Sequence, residues 1–348
     1  MTKLYKAASF TDIHFGAKTN SEQHNQDCLN FIKWFCEQVK KDSDIDHIVF
    51  MGDWFENRSA LNVMTLNYSY QGAKILNDLG LPIYFLIGNH DLYLRHSRDL
   101  YSPINFHEFT NFRIIDKPTL VDEISDTGAF LTPYLFHEEY SDLAQWLHIP
   151  TWWGHFEFKG FVVTGYDIRM TSGPDPDNFK NGPKRIFSGH FHKRQIEKNI
   201  IYIGNAFPTN YSDAGDFDRG MAIYDHKSDD LKFINWEDCP KYVKAKLSSI
   251  LDKKVSIPSN SRVKCEVDVP INFEESTEIR TKFIEDLGLR EFGMEESSEL
   301  TTSITDTETV TEIDGLDTID EMVITMLGSI ETDHIDNELL VKIYRDLR

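Results

Sequence analysis

Five short motifs along the first 192 residues of the chain combine histidine with carboxylate or amide residues. In order, they are Asp12-Ile13-His14, Gly52-Asp53, Gly88-Asn89-His90-Asp91, Gly154-His155 and Gly189-His190-Phe191-His192. Residues i and i+2 of an extended chain lie on the same side, so Asp12 with His14, and His190 with His192, can each direct a pair of side chains at one point. Imidazole and oxygen donors in this number are suited to a site for two divalent metal ions.

Such a site has a definite chemistry. Two ions about 3.5–4 Å apart, sharing one carboxylate, activate a water and stabilise both the attacking and the leaving oxygen of a phosphoester. Mixed imidazole and oxygen donors favour Mn, Fe or Zn over Mg or Ca. An isolated Asp-x-His is common by chance and Gly-Asp is usually only a turn, whereas Gly-Asn-His-Asp and Gly-His-x-His are rare. The five together predict a metal-dependent phosphoesterase.

The elements between the motifs predict how these side chains come together. Strands are predicted at residues 4–10, 46–51 and 82–87, and helices at 26–40 and 63–79. Strands that alternate with helices indicate a parallel α/β sheet, and functional sites form at the carboxyl ends of its strands. Shorter strands follow and predict a second sheet packed on the first: 130–135, 161–166, 185–187, 200–203 and 220–224. Each motif therefore follows a predicted strand.

The rest of the chain differs in composition. Residues 1–240 form the predicted catalytic domain, and 241–293 read as a small α+β module with a strand at 263–269 and a helix at 276–287. Residues 294–315 have the acidic, polar composition of a linker. Two amphipathic helices are predicted within 316–348, where apolar residues recur at spacings of three and four.

Charge and composition limit the classes of protein. The 348 residues carry a net charge of −21, and 40% are apolar, which is enough for a folded core. Because non-specific nucleic-acid binding comes mainly from Lys and Arg on phosphates, the overall field of this chain does not favour it. A signal segment and a membrane-length apolar run are not recognised, and the four cysteines lack a Cys-x-x-Cys motif. We therefore expect a soluble cytoplasmic protein without a thiolate zinc site.

The order of the five motifs over residues 1–225 is similar to that of the calcineurin-like metallophosphoesterase superfamily. Gly-Asn-His-Asp, a Gly-Asp turn without Asp-Arg-Gly, and the added C-terminal modules resemble its recombination and repair nuclease branch. The resemblance implies a two-sheet α/β sandwich with a small capping module and C-terminal helices. It also implies a DNA exo/endonuclease with two divalent ions, most often Mn²⁺ with Mg²⁺ as the alternative. Its partner would be an SMC-like coiled-coil ABC ATPase, in recombination-dependent replication and double-strand break processing.

The same resemblance assigns roles to individual residues. One metal ion would be held by Asp12, His14, Asp53 and His192. The other would be held by Asp53, Asn89, His155 and His190, so that Asp53 bridges the two. His90 would contact the scissile phosphate and help to protonate the leaving oxygen, and Asp91 would orient His90.

Two departures from the family pattern occur. Glu56 stands where the family more often has Asp, and we expect it to lie outside the ligand shell. Residues 204–209 replace a Gly-Ser turn, which leaves the nature of one substrate-facing loop open.

Basic residues near the motifs are predicted to contact DNA, although such clusters are more often plain solvated surface. They are Arg95, Arg98, Lys184, Arg185, Lys193 and Arg194. The predicted helices at 63–79 and 97–109 carry Leu66, Tyr70 and Leu100. These residues either form a homodimer interface, which the resemblance implies, or only cover the sheet.

The C-terminal helices are predicted either to bind the coiled-coil base of the ATPase or to fold back on the main body. The partner-binding residues would be Met322, Met326, Leu327, Leu339, Leu340 and Ile343. Two other functions stay open at this point. A phosphomonoesterase or cyclic-nucleotide phosphodiesterase would use the same metals on small substrates, and a non-catalytic adaptor would have no need of His90.

Overall fold

Strand-forming segments of the chain assemble into two mixed six-stranded sheets and one small three-stranded sheet. The computed structural model describes residues 2–163 and 168–296. The strands of the first sheet are β1 (Lys6–Phe10), β2 (His47–Phe50), β3 (Ile83–Leu86), β4 (Phe112–Ile115), β11 (Gly220–Asp225) and β12 (Asp230–Asn235). Those of the second are β5 (Thr119–Val121), β6 (Ala129–Leu131), β7 (Thr151–Gly154), β8 (Arg185–Ser188), β9 (Gln195–Glu197) and β10 (Ile200–Tyr202).

The first sheet has the order β12-β11-β1-β2-β3-β4. Strands β1 to β4 are parallel, with Phe10 beside Phe50 and Phe50 beside Phe85, and β11 adds to β1 in the antiparallel sense. The second sheet has the order β5-β6-β7-β8-β10-β9, with antiparallel strands at both edges. The carboxyl ends of β1, β2, β3, β7 and β8 are the ends that the five motifs follow.

Hydrophobic side chains cover both faces of the first sheet. Its inner face packs against the second sheet through residues such as Val49, Leu86, Trp153 and Phe187. Its outer face packs against the helices α1 (Glu22–Lys40) and α2 (Val63–Asn77). Burial on both faces explains why β2 and β3 are continuous apolar runs rather than alternating ones.

Local sequence signals set the helix limits. The side chain of Ser21 accepts a hydrogen bond from the His24 N–H at the start of α1, and Asn62 accepts one from the Met64 N–H at the start of α2. Such capping groups satisfy backbone donors that the helix itself leaves unpaired. The first three predicted strands and both predicted helices are therefore present, with ends that differ by a few residues.

Four predictions about elements are wrong. The strand expected at 220–224 is present as β11, but it lies beside β1 in the first sheet and not in the second. The strand expected at 130–135 ends at Leu131, because Pro133 has no N–H for a sheet ladder. The helix expected at 97–109 is a 3-10 helix, Ser102–Glu108. Of the strand expected at 161–166, Val162 makes only an isolated bridge to Arg169, and residues 164–166 lie outside the described residues.

The small module has a parallel sheet of β13 (Lys241–Lys246), β14 (Ser261–Val267) and β15 (Glu291–Glu296), with helices α3 (Leu247–Leu251) and α4 (Phe273–Leu287). Strand β15 runs past the predicted module end at 293. The module contacts α1 through a paired hydrogen bond of the Arg290 guanidinium to the Asp27 carboxylate, at 2.5 and 2.7 Å. The predicted C-terminal helices and most of the predicted linker lie outside the described residues.

No helix among the described residues has both the length and the apolar composition that a membrane crossing requires.

Candidate metal centre

The loops that follow β1, β2, β3, β7 and β8 bring all the predicted ligand residues to one edge of the two sheets. Among the described residues, three groups of three His or acidic side chains have donor atoms within 4.8 Å of one another. Two of them consist of predicted ligands: Asp12, His14 and His192 form the first group, and Asp53, His155 and His190 form the second. The third joins His14 to Glu56 and His90. The first sheet supplies the carboxylates and one imidazole, and the second sheet supplies the remaining imidazoles. The site therefore lies across the two sheets.

The first group is formed around the Nε2 atoms of two histidines. His14 Nε2 lies 3.2 Å from His192 Nε2 and 3.9 Å from Asp12 Oδ1. His192 Nε2 is also 3.9 Å from Asp12 Oδ1. His14 Nδ1 lies 2.8 Å from Glu56 Oε2, so Nε2 is the nitrogen that faces the group.

The second group is formed around the amide oxygen of Asn89. Asn89 Oδ1 lies 2.9 Å from both His155 Nε2 and His190 Nδ1. His155 Nδ1 donates a hydrogen bond of 2.6 Å to the Met51 carbonyl, and His190 Nε2 lies 3.5 Å from Glu157 Oε2. These outer contacts fix the orientation of each ring, as is usual for histidines that bind metals.

Asp53 lies between the two groups. Its Oδ2 atom is 3.9 Å from His14 Nε2 and 3.3 Å from His155 Nε2. Its Oδ1 atom accepts a 2.8 Å hydrogen bond from the His90 N–H. One carboxylate oxygen is thus near a nitrogen of each group, which is the position that a bridging ligand needs.

Four of these residues have a backbone conformation that side chains other than glycine adopt rarely. The φ angles are 52° for Asp12, 53° for His14, 61° for Asp53 and 87° for His190. Such strained conformations persist where the surrounding structure fixes them, and they are concentrated at functional sites. Here the backbone N–H groups of Asp12 and His14 donate to the carbonyls of Gly52 and Asp53, respectively.

Close approach of the loops also requires glycine at two positions. A Cβ atom on Gly88 would lie 2.2 Å from the Asp53 backbone nitrogen and Oδ1. On Gly189 it would lie 2.1 Å from Thr11 Oγ1. The glycines of the third and fifth motifs are therefore explained by packing between the loops.

The predicted role of Asp91 is wrong. Its buried carboxylate accepts hydrogen bonds of 2.9–3.0 Å from the backbone N–H groups of Asp53, Trp54, Phe55 and Gly88. Asp91 thus holds the loop that carries Asp53. His90 is oriented instead by the Glu56 carbonyl, which accepts a 2.8 Å hydrogen bond from His90 Nδ1.

The electrostatics of the site follow from buried carboxylates. Burial lowers the pKa of His14, but the side chains of Glu56 and Asp53 outweigh this effect and raise it to about 9. Burial likewise lowers the pKa of His155, but Asp53 outweighs this effect and raises it to about 9. Burial, together with the neighbouring His14, lowers the pKa of His192. The metal-free site therefore concentrates negative charge that attracts cations or protons.

This donor set fits two divalent metal ions. The Nε2 atoms of His14 and His192 are 3.2 Å apart, so they either point lone pairs at each other or share one proton. Neither arrangement gives the buried carboxylates of Asp12 and Asp53 a partner. A divalent cation neutralises such a cluster, and mixed imidazole and oxygen donors are typical of Mn, Fe and Zn sites.

Sequence reasoning missed two residues of the site and the role of a third. Glu56 was expected outside the ligand shell, and its contact with His14 Nδ1 was not predicted. Glu157 lies beside His190, and the Tyr134 ring has its centroid 5.8 Å from that of His190. Nothing in the sequence marks Glu157 or Tyr134.

Three of the six residues predicted to contact DNA have structural roles. Arg98 binds the Glu139 carboxylate and the Tyr134 carbonyl. Arg194 donates to the Ile203 carbonyl and to Asn235 Oδ1. Arg185 makes a paired hydrogen bond to Asp229, 3.0 Å for each contact. Their guanidinium groups are therefore already used.

The other three differ in position. Lys184 precedes β8, so the length of that strand separates it from the metal-binding loop, and its Nζ is 3.1 Å from Asp229 Oδ2. Arg95 is exposed in the loop after the third motif. Lys193 follows His192 and lines a small cavity with it. Of the six, Arg95 and Lys193 therefore stay candidates for DNA contact beside the centre.

The residues predicted for a dimer interface are partly exposed. Leu66, Tyr70 and Leu100 have exposed fractions of 38, 50 and 56%, and Val63 and Ile104 nearby in sequence are also exposed.

The two-sheet sandwich and the paired His/Asp groups define a metal-dependent phosphoesterase. Residues 5–194 match the calcineurin-like phosphoesterase family, and the chain belongs to that family. The resemblance seen in the motifs is thus confirmed.

One protein and two solved structures are also similar to this chain. Exonuclease subunit 1 of Enterobacteria phage T4 is 29% identical over 238 residues, which cover 66% of this chain and 67% of that protein. The Pseudomonas putida nuclease MPE has a TM-score of 0.30 at 14% identity, covering 64% of this chain and 85% of that one. A dimetal phosphatase from Danio rerio has a TM-score of 0.39 at 9% identity, covering 64% and 93%.

Proposed function

We propose that this chain is the nuclease subunit of a DNA exo/endonuclease that hydrolyses phosphodiester bonds with two divalent ions. The observation that carries the proposal is the position of Asp53 Oδ2 near a histidine nitrogen of each ligand group. Support for DNA as the substrate comes from the T4 relative, which is named an exonuclease subunit.

The ligand residues have defined tasks in this proposal. Asp12, His14, Asp53 and His192 would hold one ion, and Asp53, Asn89, His155 and His190 the other. When bound, the two ions would supply Lewis acidity to the phosphate and to the attacking water. We propose Mn²⁺ as the metal, with Mg²⁺ as the alternative.

His90 would act on the leaving oxygen. Its Nδ1–H donates to the Glu56 carbonyl, which leaves Nε2 to carry a proton towards the substrate. The ring lies edge-on to His14, with the centroids 5.0 Å apart, so it borders the first ligand group. A histidine held in this way is suited to general acid catalysis.

The test compares duplex DNA with bis(p-nitrophenyl) phosphate in the presence of Mn²⁺. We expect the chain to cleave both substrates, and Asp53→Asn to abolish both activities and lower the metal content. Asp78→Asn, at the exposed C-terminal end of α2, is the matched control and should behave like the unchanged chain. Cleavage of small phosphoesters without cleavage of DNA would favour the small-molecule phosphodiesterase. Binding of DNA without any hydrolysis would favour the adaptor.

The proposed partner is an SMC-like ABC ATPase, bound by the amphipathic segments within residues 316–348. The word subunit in the name of the T4 relative supports a multi-subunit assembly. The apolar spacing of Met322, Met326, Leu327, Leu339, Leu340 and Ile343 supports the placement of the contact.

We also propose a homodimer through the exposed apolar side chains of α2 and of residues 100–104. Large apolar residues exposed together are typical of interaction surfaces. Light scattering of Leu66→Asp with Leu100→Asp should show a monomer where the unchanged chain is a dimer.

A further inference from the structure

A cleft of about 360 Å³ opens beside the first ligand group. His14, His90 and His192 line the cleft, and so do Lys18, Thr209 and Asn210. Glu56 also lines the cleft, but its carboxylate lies against His14 Nδ1. The cleft thus brings candidate catalytic histidines together with polar side chains and one cation.

Lys18 is the cation that lines this cleft. Its Nζ contacts the Tyr242 hydroxyl and lies 4.7 Å from the centroid of that ring. Among the described residues, no carboxylate forms an ion pair with it. Partial desolvation and the nearby Arg262 lower the pKa of Lys18 to about 8, although the carboxylates of Asp27 and Glu291 act to raise it. The side chain of Lys18 is exposed, so its ammonium group is accessible to an anionic ligand in the cleft.

The backbone around Lys18 is fixed in an unusual conformation. Lys18, Thr19 and Asn20 have φ angles of 56°, 58° and 61°, a left-handed turn of three residues other than glycine. The turn is anchored because the Gly16 N–H donates to Asn25 Oδ1 at 2.8 Å. The Thr65 hydroxyl also donates to Asn20 Oδ1, at 3.1 Å. Left-handed backbone is unfavourable for residues other than glycine, so the fold maintains this turn against a local preference.

The loop that carries Thr209 and Asn210 is fixed as well. The backbone N–H groups of both residues donate to Asp213 Oδ2, at 2.9 and 3.3 Å. Asn210 Oδ1 accepts a 2.7 Å hydrogen bond from the Ser212 N–H. This arrangement directs the carbonyl oxygen of the Asn210 side chain to its own loop and leaves its amide group as a donor. A donor and a cation therefore border the same cleft.

We infer that this cleft binds the phosphodiester next to the scissile one, on the leaving-group side of the cut, with Lys18 as its phosphate contact. The inference rests on the proposed nuclease function. The side of the cut follows from His90, because the group that would protonate the leaving oxygen lies on a wall of the cleft. Lys18 is a binding residue in this account and takes no part in the chemical step.

The experiment compares two substrates that differ in neighbouring phosphates. Bis(p-nitrophenyl) phosphate has one phosphate, whereas a short single-stranded thymidine oligonucleotide has a phosphate on each side of most cuts. Lys18→Met should raise KM for the oligonucleotide about tenfold, the loss expected for one charge-assisted contact. It should leave metal content and kcat/KM for the small diester unchanged, and Lys18→Arg should restore most of the loss.

Salt dependence gives an independent readout. Each phosphate contact contributes about −0.7 to the slope of log K against log salt for single strands. With the oligonucleotide, Lys18→Met should make the slope shallower by about this amount. Lys41→Met is the matched control, because Lys41 lies at the far end of α1, which is about 28 Å long. It should leave the slope unchanged.

Two results would overturn the inference. In one, Lys18→Met slows hydrolysis of both substrates equally or lowers the metal content. Lys18 would then be part of the metal-binding structure. In the other, the variant leaves both substrates and the salt slope unchanged. If the unchanged chain cleaves the small diester but no oligonucleotide, the proposed nuclease function itself fails, and this is seen before any variant is compared.

Discussion

His90 and Glu56 show how single residues of the site are positioned by their neighbours. The Glu56 carbonyl accepts from His90 Nδ1, while the Glu56 carboxylate lies against His14 Nδ1. One residue thus orients both a candidate general acid and a candidate ligand. In each ring the hydrogen-bonded nitrogen is Nδ1, so the Nε2 atom is the one that acts.

Replacement of His90 should separate metal binding from hydrolysis. His90→Gln should retain both ions, because His90 is not assigned as a ligand. It should lose about 10²–10⁴-fold in kcat, the usual contribution of a positioned acid or base. Metal content by plasma mass spectrometry and turnover of duplex DNA check this. A variant that loses an ion would show that His90 is a ligand.

Metal uptake should depend on pH through His14 and His155. In the metal-free chain the pKa of each is raised to about 9 from an ordinary value of 6.5. Each imidazolium therefore stabilises the metal-free fold fully below pH 6.5, and this stabilisation is lost as the pH rises through about 9. Because a metal ion must displace these protons, Mn²⁺ affinity should increase from pH 7 to about 9. Anaerobic calorimetric titrations measure this, and a constant affinity over that range would contradict it.

At the scale of elements, the order of strands decides which loops meet. Strands β1, β2 and β3 are neighbours in the first sheet, and β7 and β8 are neighbours in the second. Their carboxyl ends therefore carry the five motifs to one edge, although Asp12 and His190, which are in contact there, are 178 residues apart in the chain.

Much of this arrangement could be predicted from the sequence. The spacing of apolar residues predicted β1 to β3 and both helices α1 and α2. The five motifs predicted which side chains come together. The contacts of Asp91 could not be predicted, because adjacency to His90 in the chain suggested a side-chain pair and the fold turns the carboxylate towards backbone N–H groups instead. Likewise, the sequence does not show whether a basic residue will be paired with a carboxylate that is distant in the chain, as Arg185 is with Asp229.

The contact between α1 and the small module should be stabilising. The side chains of Asp27 and Arg290 are only 8 and 13% exposed. Asp27→Ala would leave a buried guanidinium without its partner, and loss of one member of a buried pair costs about 3–5 kcal/mol. Urea unfolding should show this loss, while Asp44→Ala, at an exposed turn, should stay near the unchanged chain. An effect of Asp27→Ala no larger than that of the control would contradict a structural role for the pair.

At the scale of the whole molecule, the metal centre connects the two sheets. Asp12, His14, Asp53 and Asn89 come from the first sheet, and His155, His190 and His192 from the second. Bound ions would therefore hold the sheets together at this edge. Ligands that bind only the folded state stabilise it in proportion to the logarithm of their concentration.

Deletion of residues 316–348 should separate catalysis from assembly. No assigned ligand lies beyond His192, so hydrolysis without ATP should persist. Co-purification with the ATPase should be lost, since a fully buried residue such as Met326 or Leu340 contributes about 1.5–3 kcal/mol. Leu340→Asp should weaken the complex, and Glu338→Gln, at a position opposite the predicted apolar face, is its control. A truncated chain that keeps the ATPase but unfolds would show that the segment packs on its own body.

The position of β11 has a consequence for how the protein is made. Strand β1 ends at Phe10, but its antiparallel neighbour β11 begins at Gly220. At about 5–20 residues per second, a ribosome needs roughly 10 to 40 s to synthesise the chain between them. Throughout that time the nascent sheet has an open, apolar edge at β1, and open edges recruit other strands. Nascent chains released before β11 has emerged should therefore aggregate, and overexpression should give soluble protein more readily when translation is slowed by cold.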